Sequence, residues 1–354
     1  MNDETGGVVF DRVSRRFGDV VAVDDVSFHV AAGELVTLLG PSGCGKTTTL
    51  RLAAGLEAAS SGRVLIGGND VTLLPANQRD VTMVFQSYAL FPHMTVLENV
   101  CYGLRSMRVG MARARELAQE KLALLGLADL GGRLPSELSG GQQQRVAVAR
   151  SLVLEPAVLL FDEPLSNLDA KLRRRVRQEI RELQRSLGLT VIYVTHDQEE
   201  ALAVSDRVIV MDRGRIAQQG TPRELYEAPA SRFLADFIGD ANLVDGDVAS
   251  GVEGTTFTAG GVGMAVLGGA GGLAPAPGAA TLAIRPHRLR LAAPGPGTLP
   301  GVCKRSAYLG SRIEYVVGTP WGDLLVFDAE ARTLVAPGEQ VGVTFDRDAA
   351  ILLP

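Results

Sequence analysis

The sequence predicts an α/β fold with a smaller all-β domain after it, and three observations carry that expectation. Apolar runs at 35–39, 158–161 and 191–194 are short, rich in β-branched or aromatic residues and followed by polar groups, as buried parallel strands are. The stretch 171–187 puts Leu172, Val176, Ile180, Leu183 and Leu187 on one helical face. After about Asn242 the composition turns to Gly, Ala and Pro, and short strand-like runs recur.

At 354 residues the chain has room for two domains of ordinary size, and 46% hydrophobic with 21% charged residues describes a folded protein. A net charge of −5 without a Lys/Arg tract argues against nucleic acid as a partner. The acidic start Met1-Asn2-Asp3-Glu4-Thr5 has no apolar signal core, and no apolar run approaches the roughly 18 residues that span a bilayer. Cys44, Cys101 and Cys303 are scattered, which fits a reducing compartment with no disulfide frame and no zinc spacing.

Taken in order, residues 8–10, 20–23 and 26–30 alternate like paired strands, with Gly18-Asp19 as a turn. Phe17 is either an aromatic that stacks on an adenine ring or a core or edge aromatic. Leu35–Leu39 then runs into Gly40-Pro41-Ser42-Gly43-Cys44-Gly45-Lys46-Thr47-Thr48, which fits the phosphate-loop pattern in its strand–loop–helix context. The glycines let backbone N–H groups converge on a β-phosphate. Lys46 can neutralise β- and γ-phosphate oxygens, and the Thr47 hydroxyl can ligate Mg2+. The following helix, expected from 47 to about 56, aims its positive end at the anion. Short strands are expected over 62–68 and 79–86. Gln86 stands at the carboxyl end of the second, where α/β sheets bind ligands. It is either a group that orients Mg2+ or the attacking water, or an exposed loop amide.

Residues 88–97 crowd Tyr88, Leu90, Phe91, Pro92, Met94, Val96 and Leu97 together, as a local core or a docking surface. They open a helical insertion of about 88–155, which includes a helix over 111–125 with Leu117, Leu122 and Leu125 on one face. Within it, Leu138-Ser139-Gly140-Gly141-Gln142 can start a helix: Ser139 caps it, the glycines permit close backbone approach, and its N–H groups can meet an anion. The strand from Val158 ends in Asp162-Glu163, adjacent carboxylates that are costly to bury unless they bind something. Asp162 is placed to hold Mg2+ and Glu163 to polarise the attacking water as a general base. Ser166-Asn167-Leu168-Asp169 follows. The arginines of 171–187 read as a solvated face. The next strand ends in His196, a candidate γ-phosphate contact on the edge shared with Gln86 and Glu163. Residues 208–215 signal a hairpin and 221–226 the start of a helix. Runs at 281–284, 312–317, 324–327 and 340–345 predict a small β-barrel without a catalytic cluster. The glycines around 259–272 read as a flexible loop or loosely packed strands.

This ordered set of motifs resembles the ATP-binding cassette (ABC) ATPases. Over about 8–240 the chain is similar to the nucleotide-binding subunit of an ABC importer, a P-loop NTPase cassette whose signature motif is Leu138–Gln142. The tail is similar to the OB-like (TOBE) regulatory domain of maltose, polyamine and ferric-iron import subunits. The resemblance implies an ATPase domain at 1–240 and a regulatory domain at 241–354. It implies ATP and Mg2+ as cofactors, nucleotide contacts from Phe17 and residues 40–48, and metal contacts from Thr47, Gln86 and Asp162. Lys46, Gln86, Glu163 and His196 would carry the catalysis, and Ser166, Asn167, Leu168 and Asp169 would form the dimer-contacting D-loop. It further implies a head-to-tail homodimer, with ATP between Lys46 of one subunit and Ser139, Gly140, Gly141 and Gln142 of the other. Two separate transmembrane permease subunits would dock on the 88–97 region, a solute-binding protein would feed them, and the chain would lie peripherally on the cytoplasmic face of the inner membrane. Phe17 stands where the family often has Tyr, which keeps the stacking. Cys44 occupies a variable loop position, so thiol reagents are expected to block ATP binding. The stretch 85–96 and the short tail look most like ferric-iron and polyamine (spermidine/putrescine) importers. Sugar, phosphonate, thiamine or sulfate importers, and a soluble non-transport ABC ATPase, are the alternatives. Soluble cassettes usually carry paired cassettes or long coiled-coil insertions, and this sequence has neither.

Overall fold

Side-chain alternation along the central strands sorts the first part of the chain into layers. The computed structural model describes residues 7–251, 254–267, 277–330 and 334–353; the acidic start and the glycines of 268–272 lie outside the described residues. The chain divides into two units, Met1–Pro222 and Arg223–Pro354.

The first unit begins with β1 (Val8–Phe17), β2 (Val20–Val30), β3 (Leu35–Leu39), α1 (Lys46–Ala54), β4 (Ser61–Ile66), β5 (Asn69–Asp70) and β6 (Val81–Val84). It continues with α2 (Val96–Ser106), α3 (Met111–Leu124), α4 (Gly140–Leu152), β7 (Val158–Asp162), α5 (Ala170–Leu187), β8 (Thr190–Val194), α6 (Gln198–Val204), β9 (Arg207–Asp212) and β10 (Arg215–Gly220). β2-β1-β4-β5 form an antiparallel sheet; β10-β9-β3-β8-β7-β6 form a second, parallel from β9 to β6, with β10 returning as a hairpin. Successive strand residues face opposite ways. Val36, Leu38, Leu160, Ile192 and Val194 therefore join α1 and the antiparallel sheet's Phe10 and Phe28 in one core. Leu35, Leu159, Phe161, Val191 and Tyr193 join Val148 of α4 and Val176 and Ile180 of α5 in another. Each such side chain, taken from water, contributes about 1.5–3 kcal/mol.

The helical insertion has its own core, with Val100, Leu104, Ala118, Leu122 and Val146 buried together. Thr95 and Glu98 form a capping box that starts α2. α5 is capped by Asp169, whose carboxylate accepts from the Leu172 N–H at 2.9 Å, and it ends at Gly188 with φ +61°. Its buried stripe departs from the expected one. Leu187 is 44% exposed, because the inward position one turn beyond Ile180 belongs to Gln184. The Gln184 amide donates to the Gly33 and Leu189 carbonyls. The α5 arginines are not uniformly solvated either: Arg181 pairs with Asp206, and Arg173 pairs with Asp197.

The second unit begins with two short helices, α7 (Pro222–Glu227) and α8 (Arg232–Phe237). There follow β11 (Asn242–Gly251), β12 (Gly254–Ala259), β13 (Val262–Val266), β14 (Gly278–Ile284), β15 (Leu289–Ala292), β16 (Leu299–Tyr308), β17 (Ile313–Thr319), β18 (Gly322–Asp328), β19 (Gln340–Phe345) and β20 (Ala350–Leu353). Two sheets, β13-β12-β11-β14-β20 and β15-β19-β16-β17-β18, share one core that includes Phe257, Leu282, Tyr315, Trp321 and Val343. The helices belong with these strands because buried Arg285 donates to the carbonyls of Tyr226, Ala235 and Ile238. Gly260 and Gly261 are the two residues of a tight β12–β13 hairpin, both at positive φ (+53° and +77°), rather than a flexible loop. Among the described residues, no helix is long and apolar enough to cross a membrane.

Asn99, fully buried in α2, ties the preceding loop to the insertion. It accepts from the Phe91 N–H at 2.8 Å and donates to the carbonyls of Phe91, Met94 and Thr95 at 3.0–3.1 Å. Asn99→Ala should cost about 2–4 kcal/mol, because it strands several buried backbone groups. Urea denaturation of the two proteins reads that loss directly.

Candidate functional site

Parallel pairing in the order β3-β8-β7-β6 brings the loops after four strands to one edge. These loops carry residues 40–48, His196, Asp162-Glu163 and Gln86 respectively.

The first loop is shaped by glycine. A Cβ on Gly40 would lie 2.3 Å from the Met211 carbonyl oxygen, and one on Gly45 would lie 2.4 Å from that of Ala22. Gly45 also begins α1 at φ +104° with no side-chain cap, so the first N–H groups of that helix have no competing side-chain acceptor. Lys46 is 5% exposed, and its ammonium donates to the Gly40 and Pro41 carbonyls at 2.7 and 2.9 Å. Among the described residues no carboxylate pairs with it, so an anion in the loop would be its counter-charge. Thr47 Oγ1 donates to Asp162 Oδ1 at 3.3 Å. Burial pushes the Asp162 carboxyl above its usual range, against the opposing pull of the Thr47 hydrogen bond. Among the described residues no cluster of His, Cys, Asp and Glu could hold a metal by itself. A hydroxyl beside a desolvated carboxylate is the donor set Mg2+ uses when substrate phosphates and water complete its shell.

Glu163 follows Asp162 at φ +46°, strained for a non-glycine residue by about 1–3 kcal/mol. Its N–H donates to the Val194 carbonyl at 3.0 Å, and its own carbonyl accepts from Ser166 Oγ at 3.0 Å. Held this way, its carboxylate Oε2 meets His196 Nδ1 at 3.0 Å. A carboxylate only accepts, so Nδ1 is the protonated nitrogen of that pair. The Gln86 side-chain amide donates to Ser166 Oγ at 3.1 Å, and the Gln86 backbone carbonyl accepts from the Asn167 side chain at 3.0 Å. Gln86 is thus fastened to the 166–169 loop. Phe17 is 44% exposed at the tip of the β1–β2 hairpin, not in a core, and the Arg15 guanidinium lies 4.3 Å from its ring centre.

Residues 139–142 stand apart from this set. Exposed Ser139 caps α4 in a box with Gln142, and Gly140 and Gly141 pack so closely on Leu168 and Leu172 that a Cβ would come within 3.1 Å of either leucine. Among the described residues no hydrogen bond joins 139–142 to the 40–48 loop.

Several residues of the site were not singled out in the sequence. Glu200, 3% exposed, accepts from the Thr195 hydroxyl at 2.7 Å and the Tyr193 hydroxyl at 3.3 Å beneath His196. Arg150 donates to the carbonyls of Tyr88 and Ala89 at 2.9 and 2.7 Å, pinning two consecutive residues at positive φ. The only prior signal was Asp197 three residues before Glu200, a helix-start pattern that gives no hint of an inward Glu. The 88–97 region divides. Tyr88 and Val96 are core, whereas Phe91 joins Phe85, Ala89, Tyr102, Arg150 and Leu154 around an open, largely apolar groove of about 410 Å3.

A model of the ABC transporter family matches residues 23–166, and one of the TOBE domain matches residues 282–353. The Fe(3+) ions import ATP-binding protein FbpC of Rhizobium etli is 59% identical over 354 residues, 98% of each chain. The protein of the same name from Agrobacterium fabrum is 60% identical, covering 92% of this chain and 91% of that one. The spermidine/putrescine import ATP-binding protein PotA of Rubrobacter xylanophilus is 46% identical, covering 98% of this chain and 93% of its own. Among solved structures, the ATP-binding cassette MJ0796 as a post-hydrolysis dimer bound to ADP and Pi aligns with a TM-score of 0.54 at 32% identity, over 61% of this chain and 99% of that one.

The expected thiol sensitivity does not survive the structure. Cys44 is 3% exposed, and burial pushes its thiol above the ordinary range despite the nearby Lys46 ammonium. Cys101 and Cys303 are also buried. A thiol titration with a disulfide reagent at neutral pH should leave all three unmodified in the native protein and label all three in denaturant. Labelling should rise only as pH climbs past the normal cysteine range, since a raised pKa keeps the unreactive thiol form at neutrality.

Proposed function

Since the chain belongs to the ABC transporter family, as an import ATPase with a TOBE domain, we propose that it drives ferric-iron uptake as a head-to-tail homodimer beneath two transmembrane permease subunits. It is an ATPase. The observation that carries the site assignment is the convergence, on one sheet edge, of Thr47 with Asp162 at 3.3 Å and Glu163 with His196 at 3.0 Å.

The chemistry follows from those positions. The glycine loop and the start of α1 receive the β- and γ-phosphates, and Lys46 turns from its own loop carbonyls to their oxygens. Thr47 and Asp162 would hold Mg2+, with Gln86 near it; the bound ion would neutralise charge on the phosphates. Glu163 accepts the proton of the attacking water, and His196 fixes its carboxylate and can contact the γ-phosphate. Phe17 offers an exposed ring for the adenine. One loop leaves the outer γ-oxygens undersupplied with donors. Exposed Ser139 and the N-terminus of α4, unconnected to their own chain's phosphate loop, can supply them to a second copy. Closing that composite site on ATP, and reopening it after hydrolysis, is the power stroke. The apolar groove under Arg150 suits a short amphipathic helix of a permease subunit. That docking keeps the chain on the cytoplasmic face of the membrane. Iron is favoured over polyamine as cargo by the higher identity of the iron-import relatives.

Uptake of labelled ferric iron and labelled spermidine, side by side in cells carrying wild-type or Lys46→Ala protein, tests the cargo. Iron uptake should be lost and spermidine uptake unchanged; the reverse result overturns iron in favour of polyamine. Glu163→Gln should lower kcat by about 10²–10⁴-fold and accumulate an ATP-bound dimer in light scattering. Only monomer in the presence of ATP would remove the composite site.

A further inference from the structure

The three nitrogens of Arg173 reach two different functional loops. This residue lies in the first turn of α5, directly after the 166–169 loop. Its Nη2 donates to the Leu168 carbonyl at 3.1 Å, inside that loop. Its Nη1 donates to Asp197 Oδ2 at 3.2 Å, and its Nε stands 3.8 Å from Glu200 Oε1. Both carboxylates belong to the segment that carries His196. Asp197 accepts from the Glu200 N–H at 3.1 Å to cap α6, and from its backbone N–H donates to Thr195 Oγ1 at 3.0 Å. Glu200 in turn accepts from the Thr195 hydroxyl at 2.7 Å, so of the residues on either side of His196, Asp197 is bonded to Arg173 directly and Thr195 is held by a carboxylate that Arg173 faces as an ion pair. On the other flank, the Leu168 side chain is the surface on which Gly140 rests. Arg173, Glu163, Ser166, Thr195, His196, Asp197 and Glu200 line one small cavity.

We propose that Arg173 is a positioning residue, whose guanidinium clamps the 166–169 loop to the 195–197 turn and thereby fixes His196 against Glu163. A planar fork is needed for this task. Its two Nη groups donate to a carbonyl in one loop and a carboxylate in the other, while its Nε faces Glu200 as an ion pair at 3.8 Å; the single ammonium of lysine does not offer this planar, divergent pair of donors. The two acceptors, the Leu168 carbonyl and the Asp197 carboxylate, lie in the two loops that the guanidinium joins. A shift of the 166–169 loop when a second copy closes on it would be passed to the 195–197 turn through this side chain, alongside the Ser166–Glu163 contact. The inference rests on the assignment of Glu163 and His196 as the hydrolytic pair.

The test uses the full-length chain. Arg173→Ala should lower kcat about 10²-fold while KM and the affinity for a fluorescent ATP analogue stay within about twofold, because orientation and not binding is lost. Millimolar guanidinium should restore much of the activity to Arg173→Ala, and urea at the same concentration should not. Arg173→Lys keeps the charge and the stem, so it guards against misfolding; it should melt near the wild-type temperature and still show the kcat loss. A wild-type kcat in either variant overturns the clamp. So does a loss that falls equally on nucleotide affinity and is not rescued by guanidinium. Glu163→Gln, measured alongside, separates the two levels: if it retains wild-type kcat, the hydrolytic assignment itself fails and the clamp with it.

Discussion

Because β3, β8, β7 and β6 pair in parallel, their carboxyl ends open together on one edge, neighbouring strands only about 4.8 Å apart. The 40–48 loop, His196, Asp162, Glu163 and Gln86 all hang from that edge. An antiparallel neighbour in any of these places would have sent its loop to the opposite end of the sheet. Burial on both faces makes the strands stiff, and stiff strands can hold loops in conformations that would relax elsewhere. Gly40, Gly45 and Glu163 are all at positive φ at strand or helix ends next to that edge, with Glu163 kept there by hydrogen bonds from both of its backbone groups.

A recurring device secures the loops that the hydrophobic cores do not reach. Arg79, Arg150 and Arg285 are partly or wholly buried, and each donates to carbonyl oxygens. Arg79 grips Leu52 and Ala53 at the end of α1, Arg150 grips Tyr88 and Ala89, and Arg285 grips Tyr226, Ala235 and Ile238. Burial pulls all three guanidinium pKa values down, yet they stay charged because their normal value is so high. Carbonyls left over at helix ends and tight turns are good partners for such a group. Asn99 does the same work without charge. The groove beside Phe91 owes its shape to Asn99 and Arg150 together, since apolar contacts alone would leave that backbone unpaired.

The glycines of the signature segment have two separate reasons to be there. Within the chain, a Cβ at 140 or 141 would press on Leu168 or Leu172 at 3.1 Å, so those side chains would have to yield. At the exposed start of α4, the proposed composite site would use the same absence of side chains to bring an outside anion to the Gly140 and Gly141 N–H groups. The first reason ties the helical insertion to the 166–169 loop, and through Arg173 that loop is tied to His196. Packing and catalysis therefore share residues, and a change at Leu168 would be felt in both.

The sequence by itself determined the alternation of strands and helices in the first part of the chain, the phosphate-loop pattern, the acids after Val158 and the core of several strands and helices, because those features depend on local spacing and on backbone rules that act over a few residues. It also determined the family, through the order of short motifs spread along the first part of the chain. What it could not settle were contacts between residues far apart in the chain. Phe17 reads equally as an adenine-stacking ring or as a core or edge aromatic, and the hairpin leaves it exposed, which removes only the core option. Leu187 fits the apolar stripe until Gln184 takes the inward place for its hydrogen bonds to Gly33 and Leu189. Gly260-Gly261 reads as slack until strand pairing makes it a tight turn, and Cys44 looks reachable in its loop until packing closes over it. Arg173 reads as part of a solvated arginine face, and Glu200 is not singled out at all. Only the tertiary structure turned them inward, because buried polar groups are satisfied by partners that folding brings together, and no periodicity in the chain records who those partners are.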